Sequence, residues 1–314
     1  MKPGIVFMGS PDFAVPILET LASNYSIVGV VTQPDRPAGR GHRLTPPPLK
    51  AAAIQLELPV IQPERLRQPE AMEQLRRWNP ELIVVAAFGQ ILRPDVLGLP
   101  QFGCLNIHAS LLPRWRGAAP VPAAILNGDD ETGVSLMLMD AGVDTGPLIS
   151  QKSTPILPSE TAGSLLQRLS FMGAELLLES LPGYLQGRLP PIPQDHSQAT
   201  KAPMLAKKDG LLDFSLSAVE LVRRVRAFNP WPGTYTFWNG EILKVHRASS
   251  TAQDQFFHSL LPGTHVIQDG FPAITTAEGT LVLEEVQPAG KKTIPGKIFL
   301  LGARNWGHEN HDGG

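Results

Sequence analysis

Short apolar runs alternate with amphipathic stretches over the first 185 residues of the chain. Strands are predicted for the apolar runs Ile5–Met8, Ile27–Val31, Leu82–Phe88, Leu105–His108 and Val134–Met139. Several of these runs are apolar throughout, as expected for parallel strands that helices cover on both faces. The pattern therefore predicts an α/β domain with a doubly wound, mostly parallel, Rossmann-like sheet.

Helical spacing of apolar residues fills the intervals between these strands. It predicts helices over residues 12–23, 49–57, 63–78 and 159–185. Pro190, Pro191 and Pro193 then stand in a polar stretch without periodicity, which is typical of a linker. We therefore expect a first domain over residues 1–189 and a linker over residues 190–207.

The remaining residues, 208–314, predict a small β domain that begins with one helix. Ser217 and Glu220 form a capping-box pattern ahead of the apolar positions of that helix. Asn239-Gly240 is a strong hairpin signal between the first two strands. With its turns, the segment predicts an OB-like β-barrel whose short strands are Thr234–Trp238, Glu241–His246, His265–Ile267, Ala273–Thr276 and Leu281–Val286.

Composition and charge exclude some classes of protein without selecting one. The net charge of −2 gives no global basic field that would indicate nucleic-acid binding. Cys104 is the single cysteine, so no intrachain disulfide can form, and a reducing, cytoplasmic environment is expected. The sequence has no uninterrupted apolar stretch of about 18 residues, and we expect no membrane span.

The densest group of candidate catalytic residues surrounds the fourth predicted strand. Asn106, His108 and Ser110 are expected to share one face of that strand by its two-residue period. Asp144, in Asp144-Thr145-Gly146, follows the fifth strand. An amide, an imidazole and a carboxylate at two strand ends suit acyl transfer, because the first two can stabilise an oxyanion and the third can orient the imidazole or accept a proton.

Other interpretations of these residues stay open on spacing alone. Asn106 and His108 can be a satisfied buried amide and imidazole, and Asp144 can be a turn residue. A metal site is not expected, because His108 and Asp144 have no second histidine or cysteine nearby to complete a ligand set. A dinucleotide cofactor is not indicated, because Gly9-Ser10-Pro11-Asp12 lacks the G-x-G-x-x-G pattern.

The run from Asn106 to Gly117, N-I-H-A-S-L-L-P-R-W-R-G, resembles the signature of folate-dependent formyltransferases, and Asp144-Thr145-Gly146 resembles their second motif. The resemblance implies 10-formyltetrahydrofolate as the formyl donor. It also implies that Asn106 and His108 hold the oxyanion and that Asp144 assists proton movement. The residues expected to line the folate pocket are Ser110, Leu111, Leu112 and Pro113, with Phe88, Gly89, Ile91 and Leu92 nearby.

Three further segments resemble the branch of this family that acts on the initiator methionyl-tRNA. They are residues 32–41, residues 226–232 and residues 287–292. The first belongs to a Pro- and Gly-rich loop between Pro34 and Pro48, in which Arg36, Arg40 and Arg43 are expected to contact tRNA. Arg223 and Arg226 share one face of the second-domain helix and are expected to contact phosphates as well.

Two other members of the family and one other class of protein remain as alternatives. A sugar-nucleotide formyltransferase would share the Asn106, His108 and Asp144 set, and a formyltetrahydrofolate hydrolase would use water as the acceptor. A non-catalytic RNA-binding protein could be built on the small barrel. The basic loop favours the tRNA branch, for which we expect a monomer that works in the cytoplasm.

Overall fold

The computed structural model describes residues 2–38, 43–252 and 259–307, and the chain forms two compact units. The first unit comprises Met1–Pro120, Glu131–Pro155 and Leu165–Pro203. The second comprises Val121–Asp130, Ile156–Ser164 and Met204–Gly314. None of the described helices is long and apolar enough to cross a membrane.

The first unit is built on a seven-stranded sheet in the order β10-β9-β7-β6-β1-β2-β5, and two short ladders, β3 with β4 and β8 with β11, accompany it. Its strands are β1 Gly4–Gly9, β2 Ser26–Val31, β3 Arg36–Ala38, β4 Arg43–Thr45, β5 Val60–Ile61, β6 Leu82–Ala86, β7 Cys104–His108, β8 Arg116–Gly117, β9 Glu131–Leu138, β10 Leu148–Pro155 and β11 Lys201–Ala202.

Five adjacent strands of the large sheet, β5, β2, β1, β6 and β7, are parallel. Every residue of β6 and β7 is buried, as the continuous apolar runs predicted. The two outer strands differ, because β9 is antiparallel to β7 and β10 is antiparallel to β9. The predicted α/β domain with a mostly parallel sheet is confirmed.

The reversed direction of β9 changes where its polar loop begins. His108 at the end of β7 pairs with Ser135, whereas Leu105 near the start of β7 pairs with Leu138 at the end of β9. The loop that carries Asp144 therefore leaves the sheet beside the start of β7. The ends of β7 and β9 therefore lie at opposite edges of the sheet, and the loop after β9 brings Asp144 back to the side chains of β7.

The described α-helices before residue 190 are the four predicted ones, which with one exception begin and end close to the predicted positions, and two others that the pattern did not predict, at residues 94–97 and 120–127. They are α1 Val15–Asn24, α2 Pro48–Gln55, α3 Pro69–Trp78, α4 Pro94–Leu97, α5 Pro120–Asn127 and α6 Ala162–Leu185. The exception is α3, which was predicted from residue 63. Pro69 stands in its first turn, where a fixed φ and a missing N–H favour a helix start.

The second unit contains an antiparallel sheet in the order β12-β13-β16-β15-β14, with β17 paired to β16. Its strands are β12 Thr234–Trp238, β13 Glu241–Thr251, β14 His265–Gln268, β15 Phe271–Thr275, β16 Thr280–Pro288 and β17 Ile294–Pro295, and its later helices are α7 Ala218–Ala227 and α8 Gly296–Gly302. The predicted antiparallel β domain is confirmed.

Local signals of the sequence account for the beginning of this domain. Ser217 caps α7, because its backbone N–H donates to the Glu220 carboxylate at 2.9 Å and its hydroxyl accepts from the Glu220 N–H at 3.3 Å. Asn239 and Gly240 both have positive φ, as a tight hairpin between β12 and β13 requires. The core then forms around Leu221, Leu283 and Trp306.

Candidate active site

Strand β7 presents Asn106 and His108 on one face. Both side chains are nearly buried, with 9% and 7% of their surface exposed. The neighbouring strands β6 and β9 fix their positions, because Asn106 pairs with Val85 on one side and with Met137 on the other. The two-residue spacing predicted from the sequence therefore places an amide and an imidazole side by side.

The carboxylate of Asp144 completes this group. Its Oδ2 accepts a hydrogen bond from the backbone N–H of Gly117 at 2.8 Å. Its Oδ1 lies 3.4 Å from Nδ2 of Asn106, and its Oδ2 lies 3.5 Å from Nδ1 of His108. These last two distances are at the outer limit of hydrogen bonding, so the contacts of Asp144 with Asn106 and His108 are weaker than its bond to Gly117.

The second ring nitrogen of His108 fixes how the imidazole can act. Nε2 lies 2.9 Å from the backbone oxygen of Trp115, and a carbonyl can only accept, so we assign the proton to Nε2. Nδ1 then faces Asp144 either as a lone pair or as the second N–H of an imidazolium. The pair can therefore hold or release one proton without moving the ring.

Asp144 adopts a backbone conformation that few residues tolerate. Its φ is 52°, in the left-handed region where aspartate, asparagine and glycine are favoured. Gly146 follows in a turn so tight that a Cβ would come within 1.9 Å of the backbone oxygen of Leu138. The Asp-Thr-Gly motif therefore makes the turn that aims the carboxylate at β7.

The loop after β7 is held by a buried serine that the sequence analysis missed. Ser135 of β9 donates to the backbone oxygen of Ser110 at 2.6 Å and accepts from the N–H of Leu112 at 3.0 Å. It also accepts from Nε2 of Gln151 at 2.8 Å. A polar residue inside the apolar run Val134–Met139 was the available signal.

Ser110 lies outside the strand on which it was expected. Strand β7 ends at His108, and the hydroxyl of Ser110 donates to the backbone oxygen of Arg114 at 2.7 Å. It therefore closes the turn and does not stand in line with Asn106 and His108, so the expectation of three polar groups on one strand face is wrong. Ser110 and Leu112 are buried, and Leu111 and Pro113 are partly buried.

The other predicted folate residues follow β6, which is the parallel neighbour of β7. Phe88 and Leu92 are buried in the core, whereas Gly89 and Ile91 are exposed. Ile91 borders a cavity of about 170 Å³ whose lining residues are Arg65, Leu66, Arg67, Gln90, Ile91, Arg93, Asp95 and Val96. Three arginines there give the cavity a basic wall.

The predicted tRNA loop after β2 contains the hairpin of β3 and β4. Arg36 begins β3, and its exposed guanidinium forms a salt bridge with Glu64 at 3.0 Å. Arg40 lies outside the described residues, and Arg43 is described only as the first residue of β4. At the base of the loop, hydrogen bonds from Gln62 and Lys50 hold the pKa of Asp35 below its ordinary value.

Arg223 and Arg226 on α7 lie against other segments of the second unit. Arg226 donates to the backbone oxygens of Glu160 at 2.8 Å and Leu157 at 2.9 Å. Partial burial lowers its pKa from the ordinary value. The guanidinium of Arg223 covers Gly128, where a Cβ would come within 2.3 Å of it. Both side chains thus have structural contacts, and their contact with tRNA stays a prediction.

Cys104 and the acidic and imidazole side chains are the remaining groups that could react or bind a metal. Burial raises the pKa of the Cys104 thiol to about 12, so the sulfur stays protonated at neutral pH. Within residues 2–38, 43–252 and 259–307, no group of three His, Cys, Asp or Glu side chains could hold a metal ion.

Comparisons with known proteins identify the family of the chain. The profile of the family described as "Formyl transferase" matches residues 3–181, and that of "Formyl transferase, C-terminal domain" matches residues 204–304. The methionyl-tRNA formyltransferase of Myxococcus xanthus is 49% identical over 303 residues, covering 96% of this chain and 95% of the relative. That of Chloroflexus aurantiacus is 49% identical over 301 residues, covering 95% and 96%.

A solved structure supports the fold. WlaRD, a sugar 3N-formyl transferase crystallised in the presence of dTDP and 5-N-formyl-THF, superposes with a TM-score of 0.66 at 17% identity and covers 93% of this chain and 100% of that chain. The family profiles, the near-complete alignments and the Asn106, His108 and Asp144 cluster point the same way. The chain therefore belongs to the formyl transferase family, and it is similar to methionyl-tRNA formyltransferases along nearly its whole length.

Proposed function

We propose that this protein transfers the formyl group of 10-formyltetrahydrofolate to the amino group of the initiator methionyl-tRNA. The observation that carries the proposal is the cluster of Asn106, His108 and Asp144, in which an amide and an imidazole face one carboxylate at 3.4 and 3.5 Å. Relatives that are named methionyl-tRNA formyltransferases match nearly the full length of the chain and support the choice of acceptor.

The reaction assigns one task to each side chain. The free amine of the aminoacyl group attacks the formyl carbon, and the carbonyl oxygen gains the negative charge of a tetrahedral intermediate. Asn106 donates to that oxygen through Nδ2, and His108 does so through Nδ1–H when its ring carries both protons, while Asp144 accepts a proton from the attacking nitrogen. When the intermediate collapses, the bond between carbon and folate N10 breaks, and the proton passes to N10, so that atoms and charge balance.

The cavity beside Ile91 suits part of the donor. Folates carry a glutamate tail with carboxylates, and arginine binds carboxylates through paired N–H donors. Arg65, Arg67 and Arg93 line that cavity. It lies next to the loop after β6, and β6 runs parallel to β7, so the loops after both strands leave the same edge of the sheet.

The acceptor would bind through basic surfaces that the sequence indicated. The loop with Arg36, Arg40 and Arg43 would contact the acceptor end, and the domain over residues 208–314, after the linker at 190–207, would bind further tRNA phosphates. Phosphate contacts of this kind bring affinity that falls with salt. We further propose that the protein acts as a monomer in the cytoplasm, where aminoacylated initiator tRNA is its substrate.

A single-turnover assay with two acceptors tests the proposal. The enzyme is mixed with 10-formyltetrahydrofolate and either methionyl-tRNA or a UDP-amino-sugar, and formylated product is quantified. We expect product with methionyl-tRNA and none above background with the sugar. The reverse result would show a sugar-nucleotide formyltransferase, and release of free formate with neither acceptor formylated would show a hydrolase. Binding of tRNA without turnover would show an RNA-binding protein.

A further inference from the structure

Gln194 is a buried amide outside the Asn106, His108 and Asp144 cluster. Only 6% of its surface is exposed. It lies between two anchored points of the chain: the bridge of Ile192 with Leu148, and strand β11, which pairs with β8. The polar sequence around it predicted a linker, so nothing in the sequence drew attention to it.

The amide nitrogen of Gln194 holds the turn that carries Asp144. Nε2 donates to the backbone oxygen of Asp144 at 3.0 Å and to that of Gly146 at 2.6 Å. Those two carbonyls bracket the Asp-Thr-Gly turn, in which Asp144 has its positive φ. Both N–H bonds of the amide are thereby used to fix one backbone conformation.

The amide oxygen of Gln194 holds the opposite side of the site. Oε1 accepts from Nε of Arg116 at 3.2 Å and from Nη2 at 2.7 Å. Arg116 directly precedes Gly117, whose N–H is the 2.8 Å donor to the Asp144 carboxylate. One side chain therefore connects the two segments whose separation determines where that carboxylate lies.

We propose that Gln194 is a positioning residue for Asp144. An amide can both donate to the two carbonyls and accept from Arg116. A carboxylate cannot donate two hydrogen bonds to carbonyls, and an ammonium cannot accept one from Arg116. The proposal rests on the proposed function, since it assigns Gln194 an effect on formyl transfer that passes through Asp144. A shift of about 1 Å in a reacting group can lower a rate by about 100-fold, which sets the scale of the effect.

The test uses Gln194→Met, which keeps the length of the side chain and removes its hydrogen bonds. We expect kcat with methionyl-tRNA to fall about 10- to 100-fold, while KM for tRNA and for the folate changes less than about threefold. Gln194→Glu should be at least as impaired. Gln198→Met is the matched control, because Gln198 is exposed and, among the residues that the structure describes, bonds to Asp195 within its own turn. It should retain wild-type kcat.

A double-mutant cycle separates positioning from general stability. In an Asp144→Asn background, Gln194→Met should cause little further loss of kcat, because the residue through which it acts is already altered. An additive loss would overturn the proposal, as would wild-type kcat in Gln194→Met. If Gln194→Met does not fold, Arg116→Lys replaces it in the cycle. We expect a smaller loss of kcat for this variant, and an additive loss in the Asp144→Asn background would again overturn the proposal.

A second measurement is independent of catalysis. Amide hydrogen exchange of Gly117 reports its bond to Asp144, and exchange should be faster in Gln194→Met than in Gln198→Met. Unchanged exchange would overturn the positioning role. If the wild-type enzyme formylated no methionyl-tRNA, the proposed function would fail, but the exchange result would still decide whether Gln194 positions Asp144.

Discussion

Replacing Asp144 by asparagine separates the chemical role of the carboxylate from its structural role. Asparagine has the same shape and, like aspartate, tolerates the φ of 52° at this position. Its side-chain oxygen can still accept from the N–H of Gly117. Its amide nitrogen then faces Nδ2 of Asn106, which is also a donor, and the negative charge near His108 is gone.

The structure gives different magnitudes for stability and for rate. Converting a hydrogen bond to a charged group into a neutral one costs about 1 kcal/mol, so the free energy of unfolding should fall by roughly that amount. Removing a group that accepts a proton lowers a rate by about 10²- to 10⁴-fold, which corresponds to about 2.7–5.4 kcal/mol of barrier. The increase in the activation free energy should therefore exceed the decrease in the free energy of unfolding several-fold.

Single-turnover formylation and urea unfolding of the same preparation measure both quantities. Asp140→Asn is the matched control, because Asp140 is exposed and, within the described part of the chain, its carboxylate accepts from Gly142 and Thr145 of the same loop. We expect the control to keep its rate within about threefold. If Asp144→Asn were as active as the control, or lost activity only in proportion to its unfolded fraction, the catalytic assignment of Asp144 would be wrong.

Three further predictions concern other parts of the chain. Asn106→Ala should lower kcat by about 10²- to 10³-fold with little change in folate affinity in a titration, and near-normal kcat would exclude an oxyanion role. Arg40→Ala should weaken tRNA binding and lower the slope of log K against log salt by about one unit, whereas an unchanged slope would exclude a phosphate contact. Cys104, whose pKa burial raises to about 12, should resist iodoacetamide at pH 8 in the native protein and react in urea, and rapid native labelling would contradict that burial.

The strands were predictable because burial leaves a plain pattern in the sequence, but their directions were not. Strand β9 is buried at all but its first and last residues, as a central parallel strand would be. An apolar run covered on both faces looks the same in either direction, so the reversal that moves the Asp144 loop could not be read from it. The sequence analysis grouped Asp144 with His108 because each follows a predicted strand, whereas in the structure the loop after β9 brings them together.

The candidate site was predictable where side chains follow a period and not where they depend on distant contacts. Asn106 and His108 share a face because they are two residues apart on one strand. Gln194 and Ser135 act through hydrogen bonds to backbone groups 48 and 25 residues away along the chain. Such contacts leave no local pattern, and a lone polar residue in a proline-rich stretch resembles a linker.

The short ladder between β8 and β11 determines where this protein can be divided and recombined. Gly117 approaches β11 so closely that a Cβ would lie 2.6 Å from the backbone oxygen of Ala202, and Thr200 accepts from the N–H of Trp115 at 2.8 Å. A chimaera joined after residue 189 would replace β11 with foreign residues. Gly117, whose N–H bonds to Asp144, would then lose its pairing with Ala202. A chimaera joined after Pro203 keeps β11, but a graft that begins at Met204 must also fit Val121–Asp130 and Ile156–Ser164, the earlier segments that belong to the second unit.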